Sequence, residues 1–159
     1  PGTARRLLLA GDETAAPAIC AIIETLDDRC DVDAFIEVPT ADDILVHGDT
    51  SARVHWLVRD EREHGAALLG ALRAWVQREQ ELLARAAAPR RQELVDIDVD
   101  AELLWDSPLD AEGEFYAWIA GEAAAVKLAR RMLVSECGVD RKRVAFMGYW
   151  RLGAAERTG

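Results

Sequence analysis

The chemistry-bearing residues of this 159-residue chain fall into short strings that each begin where an apolar run stops. The first is Ala10-Gly11-Asp12-Glu13-Thr14-Ala15-Ala16-Pro17. A glycine turn feeding a helix aims free amides and the positive end of the helix dipole at one point, where a pyrophosphate can be held. The spacing is not the G-x-G-x-x-G of ordinary dinucleotide-binding turns, and Asp12 and Glu13 set two carboxylates beside any phosphate. The same string also serves as a capped helix start without a ligand. In the second string, Arg59-Asp60-Glu61-Arg62, the Arg59 guanidinium could grip a ribose phosphate through two parallel hydrogen bonds, or simply join a solvated charge cluster.

The third string is Ala120-Gly121-Glu122-Ala123. Gly121 and Ala123 are small enough to let a nicotinamide ribose approach the backbone, whereas the Glu122 side chain reads more simply as a carboxylate complementing a helix dipole. The fourth is Gly148-Tyr149-Trp150-Arg151-Leu152-Gly153, two rings and a cation that could meet planar and anionic ligands or pack a C-terminal tail onto the protein.

Composition removes whole classes of function. A formal charge of -10 and a pI near 4.8 exclude a nucleic-acid binder, which draws affinity from clustered Lys and Arg. A dinucleotide or an anionic chelate, by contrast, needs only a few well-placed cations in an acidic protein. His47, His55 and His64 share no ligand spacing and have no local acidic or cysteine grouping that would make a metal site, so none is expected. Ser51, Ser107 and Ser135 lack a nucleophile-elbow context, and no catalytic residue is assigned. Cys20, Cys30 and Cys137 are odd in number and far apart, the pattern of buried free thiols in a reducing cytoplasm. No apolar run approaches the roughly 20 residues that span a bilayer. The chain opens on Pro1 rather than Met and has no secretory leader pattern, which implies a fragment boundary with the native N-terminus missing.

These strings need a scaffold, and the apolar pattern supplies one. Arg6 to Gly11 is a continuous apolar run, as in a strand buried on both faces of a parallel sheet. Ile19, Ile22, Ile23 and Leu26 follow at helical spacing, with Pro17 suited to a first turn. Further strands are predicted at Asp33 to Val38, Arg53 to Arg59, Glu114 to Gly121 and Arg143 to Tyr149. A long helix is predicted over Gly65 to Ala88, and another over Glu122 to Cys137 closed by Gly138; residues 89 to 114 read as a loop or ragged edge segment. Trp56, Trp75, Trp105 and Trp118 lie in apolar stretches and read as core or partner-facing. The alternation predicts one α/β domain over residues 1–159, a three-layer arrangement with a parallel five-stranded sheet. Ligands of such sheets bind beyond the carboxyl ends of the strands, where the four strings lie.

Taken together, G-D-E-T-A-A-P-A-I at Gly11 to Ile19, F-I-E-V at Phe35 to Val38, W-L-V-R at Trp56 to Arg59, W-I-A-G-E-A at Trp118 to Ala123 and G-Y-W-R-L-G at Gly148 to Gly153 resemble the siderophore-interacting protein family. The resemblance implies a ferredoxin-NADP-reductase-like architecture, of which this chain is the C-terminal NAD(P)H-binding domain. The N-terminal FAD-binding β-barrel, a partner in cis, is absent, so the isolated domain is expected to be inactive. It further implies a cytoplasmic oxidoreductase that passes hydride from NADPH (or NADH) to FAD and single electrons to a ferric siderophore, releasing iron as Fe(II). Gly11, Asp12, Glu13 and Thr14 would form the pyrophosphate turn, and Arg59 would favour the extra phosphate of NADPH. Gly121, Glu122 and Ala123 would line the nicotinamide side. Tyr149, Trp150 and Arg151 would face the flavin and substrate cleft; Leu152 stands where many relatives carry a second basic residue.

Two readings of other classes compete. A flavodoxin-like receiver module could use Asp12 and Glu13 to chelate magnesium, but it would need an aspartate after the third strand and a lysine after the fifth, where this chain has Arg59 and Tyr149 to Arg151. A non-catalytic interaction module is the other, motivated by the long helix and five tryptophans.

Overall fold

The computed structural model describes residues 5–45, 50–89, 105–106 and 114–152. Five strands run parallel: β1 (Arg6–Gly11), β2 (Asp31–Val38), β3 (Arg53–Val58), β5 (Phe115–Glu122) and β6 (Val144–Trp150). A two-residue strand, β4 (Trp105–Asp106), adds antiparallel to β6, giving the order β3-β2-β1-β5-β6-β4. The chain therefore builds outward from β1 to β3, then returns to the other side of β1 and builds outward again. Strand order reverses between β1 and β5, which places a switch point at their carboxyl ends.

Every residue of β1 is buried, because helices cover both sheet faces. Side chains alternate across a strand. Leu7 and Leu9 join Ile19 of α1 (Ala16–Thr25) and Ile36 on one face, while Leu8 and Ala10 join Leu72 and Trp75 of α2 (Ala66–Arg78), Phe115 and Phe146 on the other. Trp75 is fully buried, as its apolar setting predicts, with its ring 5.9 Å from that of Phe115.

Two sequence expectations are corrected here. The long helix over Gly65 to Ala88 is two helices, α2 and α3 (Gln80–Arg85), separated at Glu79, whose carboxylate is held 3.0 Å from Arg6 Nη2. The helix expected to reach Cys137 is α4 (Ala123–Arg130) followed by a wider π-helical turn over Arg131–Glu136, which buries the consecutive Met132, Leu133 and Val134. Of the segment expected to be a loop or ragged edge, β4 pairs with β6; residues 90–104 and 107–113 lie outside the described residues.

At the amino end of the sheet Asp33 accepts hydrogen bonds from three residues, with Arg6 Nη2 at 2.6 Å, Arg53 Nε at 2.7 Å and the Trp75 indole at 2.9 Å. Burial would raise the Asp33 carboxyl, but these hydrogen bonds outweigh it and hold it well below the ordinary carboxylate range. Nearby, a cavity of about 210 Å³ is lined in part by Cys20 and Cys30. All three cysteines are free and only partly buried, less so than the sequence implies.

Candidate functional site

The site lies at the carboxyl edge of the sheet, and Asp12 is its centre. Gly11 ends β1 where a Cβ would stand 2.6 Å from both the Ala120 carbonyl oxygen and Ala15 Cβ, so only glycine fits the turn. The Asp12 carbonyl then accepts the Ala15 and Ala16 amides at 3.0 and 3.1 Å, starting α1. Asp12 is 3% exposed. Oδ1 accepts the Thr14 amide at 2.9 Å and the Thr14 hydroxyl, while Oδ2 accepts the Glu122 amide at 2.9 Å and the Trp150 indole Nε1–H at 3.0 Å. His64 Nε2 lies 3.2 Å from the same oxygen. One carboxylate thus ties together the ends of β1, β5 and β6 and the approach to α2.

Gly121 answers this crowding. Its φ of +147° belongs to a region that side chains rarely adopt, and a Cβ there would sit 2.7 Å from Asp12 Oδ2. Glu122 is 6% exposed and caps α4, accepting the Ala125 amide through Oε2 at 2.9 Å; Oε1 accepts the Leu152 amide at 3.3 Å. The side chain thus sits at the N-cap of α4, at the positive end of the helix dipole. Ala123 opens α4 and is fully buried.

Arg59 emerges from β3 only 8% exposed. Its Nη1 lies 3.2 Å from Glu37 Oε1 and 3.4 Å from Glu13 Oε2, and its Nη2 lies 3.2 Å from Glu13 Oε1. His64 Nδ1 is 2.7 Å from Nη1. Glu37, wholly buried, also accepts the Gly65 and Leu68 amides, each at 2.9 Å, and so holds the N-terminus of α2. Asp12, Glu13 and His64 bring ligand-capable atoms within 4.8 Å of one another, although no local spacing in the sequence joins them. Arg59 reaches two of its members, with Nη1 2.7 Å from His64 Nδ1 and Nη2 3.2 Å from Glu13 Oε1.

Sequence reasoning missed Glu37 and His64. Glu37 carried a usable signal, since an acid inside the apolar run F-I-E-V must find a cation or amides when buried. His64 carried none, because Asp12 is separated from it by 52 positions. His47 lies outside the described residues.

The remaining predicted residues border the same edge. The Trp150 ring meets His64 edge-on at 4.7 Å, and Tyr149 meets Trp118 at 6.3 Å. Tyr149 is exposed, yet partial burial still pushes its hydroxyl pKa up. Arg151 is half-buried. Beyond β2 and β3, Pro39, Thr40, Asp60, Glu61 and Arg62 line an open crevice of about 720 Å³. Asp60 adopts a left-handed φ of +51°, and its amide donates to the Pro39 carbonyl at 3.1 Å. The edge thus runs from exposed carboxylates at one end, past an ion-paired centre, to aromatic rings and a cation at the other.

Comparison with known proteins bears on this geometry. A model of the siderophore-interacting protein family matches residues 4–153. An uncharacterized protein of Mycobacterium tuberculosis is 32% identical over 152 residues, covering 94% of this chain and 45% of that protein. Ferric vibriobactin reductase ViuB of Vibrio cholerae is 27% identical over 153 residues, covering 95% of this chain and 45% of its own length. The crystal structure of a siderophore utilization protein from T. fusca superposes with a TM-score of 0.65 at 29% identity, covering 97% of this chain and 48% of that one. The chain therefore spans about half the length of the proteins it matches. With the family match running from before β1 to beyond β6, and the same fold found in a solved siderophore utilization protein, this chain belongs to the siderophore-interacting protein family.

Proposed function

We propose that this chain is the nicotinamide-dinucleotide-binding domain of a flavin-dependent ferric-siderophore reductase. The observation that carries the reading is the reversal of strand order between β1 and β5, where the Gly11 turn, Gly121 and the Trp150 indole converge on Asp12 at the carboxyl edge. The residues along that edge fit a dinucleotide. Asp60 and Glu61 offer acceptors for ribose hydroxyls, the Gly11 to Thr14 turn would pass beneath the pyrophosphate, and Gly121 with Ala123 leaves room beside the backbone for the nicotinamide ribose. Glu122, committed to α4, would fix that backbone rather than bind through its carboxylate.

When bound, the nicotinamide and a flavin supply the redox chemistry, turning a two-electron hydride donor into a source of single electrons for Fe(III). In this reading FAD sits mainly in another domain of the full-length protein. Tyr149 and Trp150 would border that junction, and Arg151 would draw an anionic ferric chelate toward it. Reduction releases iron because hard oxygen donors hold Fe(III) far better than Fe(II). ViuB, a ferric vibriobactin reductase, lends the substrate class, and a cytoplasmic setting supplies the reduced nucleotide.

The test is a chemical-shift titration of the chain with NADH and with NADPH. The reading expects shifts at the Gly11 and Gly121 amides and at the Trp150 indole. A spectrum left unchanged by both nucleotides at millimolar concentration would sink it for this domain.

A further inference from the structure

The position of Arg59 bears on which dinucleotide the edge accepts. A 2′-phosphate is a dianion near neutral pH and needs at least one cation not already neutralised. Arg59 is the buried guanidinium at the ribose end, and Glu37 and Glu13 take it from two sides. Glu37 is inaccessible and anchored by two α2 amides, so it cannot yield. Glu13 stands on the outer side with its side chain 32% exposed, covering the guanidinium where a ligand would approach. The crevice that begins one residue past Arg59 adds Asp60 and Glu61 against the single cation Arg62. A ribose 2′-hydroxyl is a hydrogen-bond donor and suits such a wall, whereas a phosphate meets carboxylates.

We propose that Glu13 is a specificity-determining residue: by saturating Arg59 it denies a 2′-phosphate its buried cation, so the site takes NADH and discriminates against NADPH. This rests on the dinucleotide-domain reading and reverses the part that sequence alone gives Arg59. The geometry makes Arg59 the counter-ion that keeps Glu37 seated on α2, with Glu13 closing its outer side.

The experiment is a calorimetric or chemical-shift titration of the chain and of Glu13→Gln with NADH and NADPH. The expected result is NADH binding at least about tenfold more tightly than NADPH to the unmodified chain, with the ratio narrowing severalfold or inverting in Glu13→Gln. The Arg59 Nε–H resonance should respond to NADPH in the variant and not in the parent. As a readout free of any variant, 5′-AMP should compete with NADH better than 2′,5′-ADP does. NADPH binding as tightly as NADH to the unmodified chain, or an unchanged ratio in a folded Glu13→Gln, overturns this inference and leaves the domain reading intact. Failure of both nucleotides to bind overturns both.

Discussion

The indole Nε1–H of Trp150 donates to Asp12 Oδ2 at 3.0 Å, joining the end of the last strand to the turn after the first across 138 residues of sequence. The acceptor is a nearly buried carboxylate that also accepts the Glu122 amide, so this bond fixes the aromatic end of the edge against the switch point. Trp150→Phe keeps most of the ring and removes the donor. It should cost about 2 kcal/mol in denaturant unfolding, the scale of a hydrogen bond to a charged group. A perturbation under about 0.5 kcal/mol would mean that the bond is replaced by water at little loss.

Two glycines should respond with opposite signs to the same substitution. Gly121→Ala forces a side chain into a φ of +147° and against Asp12 Oδ2, so a loss of about 2 kcal/mol or more is expected, read as a lowered Tm. Gly70 lies within α2 with nothing within 4 Å of the point where a Cβ would stand, so Gly70→Ala should gain up to about 1 kcal/mol from helix propensity.

Removing the charge of Glu37 leaves Arg59 with a single carboxylate and weakens the seat of α2. Glu37→Gln should destabilise by about 3 kcal/mol, in the range for breaking a buried ion pair. Hydrogen exchange at the Gly65 and Leu68 amides should accelerate more than exchange at the Asp33 end of the sheet.

The amino edge predicts an acid dependence. Because the folded Asp33 carboxyl is held below its ordinary value, the folded state binds fewer protons there than the unfolded chain does. Its stabilisation is fully present above the unfolded pKa of about 4 and is lost as pH falls through the depressed folded value. Denaturation curves from pH 6 down to about pH 2 should show stability falling with acid, and Asp33→Asn should flatten that slope while lowering stability at pH 6. A slope unchanged in the variant would assign the acid sensitivity to other carboxylates.

Much of the architecture was legible in local pattern. The continuous apolar run at Arg6–Gly11 could only be a strand covered on both faces, and it is. The glycine-to-helix corners after β1 and β5 stand where the sequence puts them, because they depend on small residues and adjacent caps. The split at Glu79 was not legible, since Gln, Glu, Leu, Ala and Arg all favour helix and the contact to Arg6 lies 73 positions away. Nor was the π-helical turn, where burial of three consecutive apolar residues overrode the regular period.

The four strings at strand ends, the parallel α/β plan and the family resemblance follow from the order of residues alone, because strand period, helix period and turn chemistry act over a few positions. Which charge meets which does not. Arg59 reads as a phosphate clamp or, more commonly for such a string, a solvated cation until folding brings Glu13 from 46 positions away and Glu37 from 22. His64 reads as isolated until it meets Asp12, and nothing in the order of residues brings Trp150 and the Glu122 amide to the Asp12 carboxylate. The partners of a buried charge are set by the low dielectric around it, which makes an unpaired ion too costly to keep, and that environment exists only once the distant strands have come together.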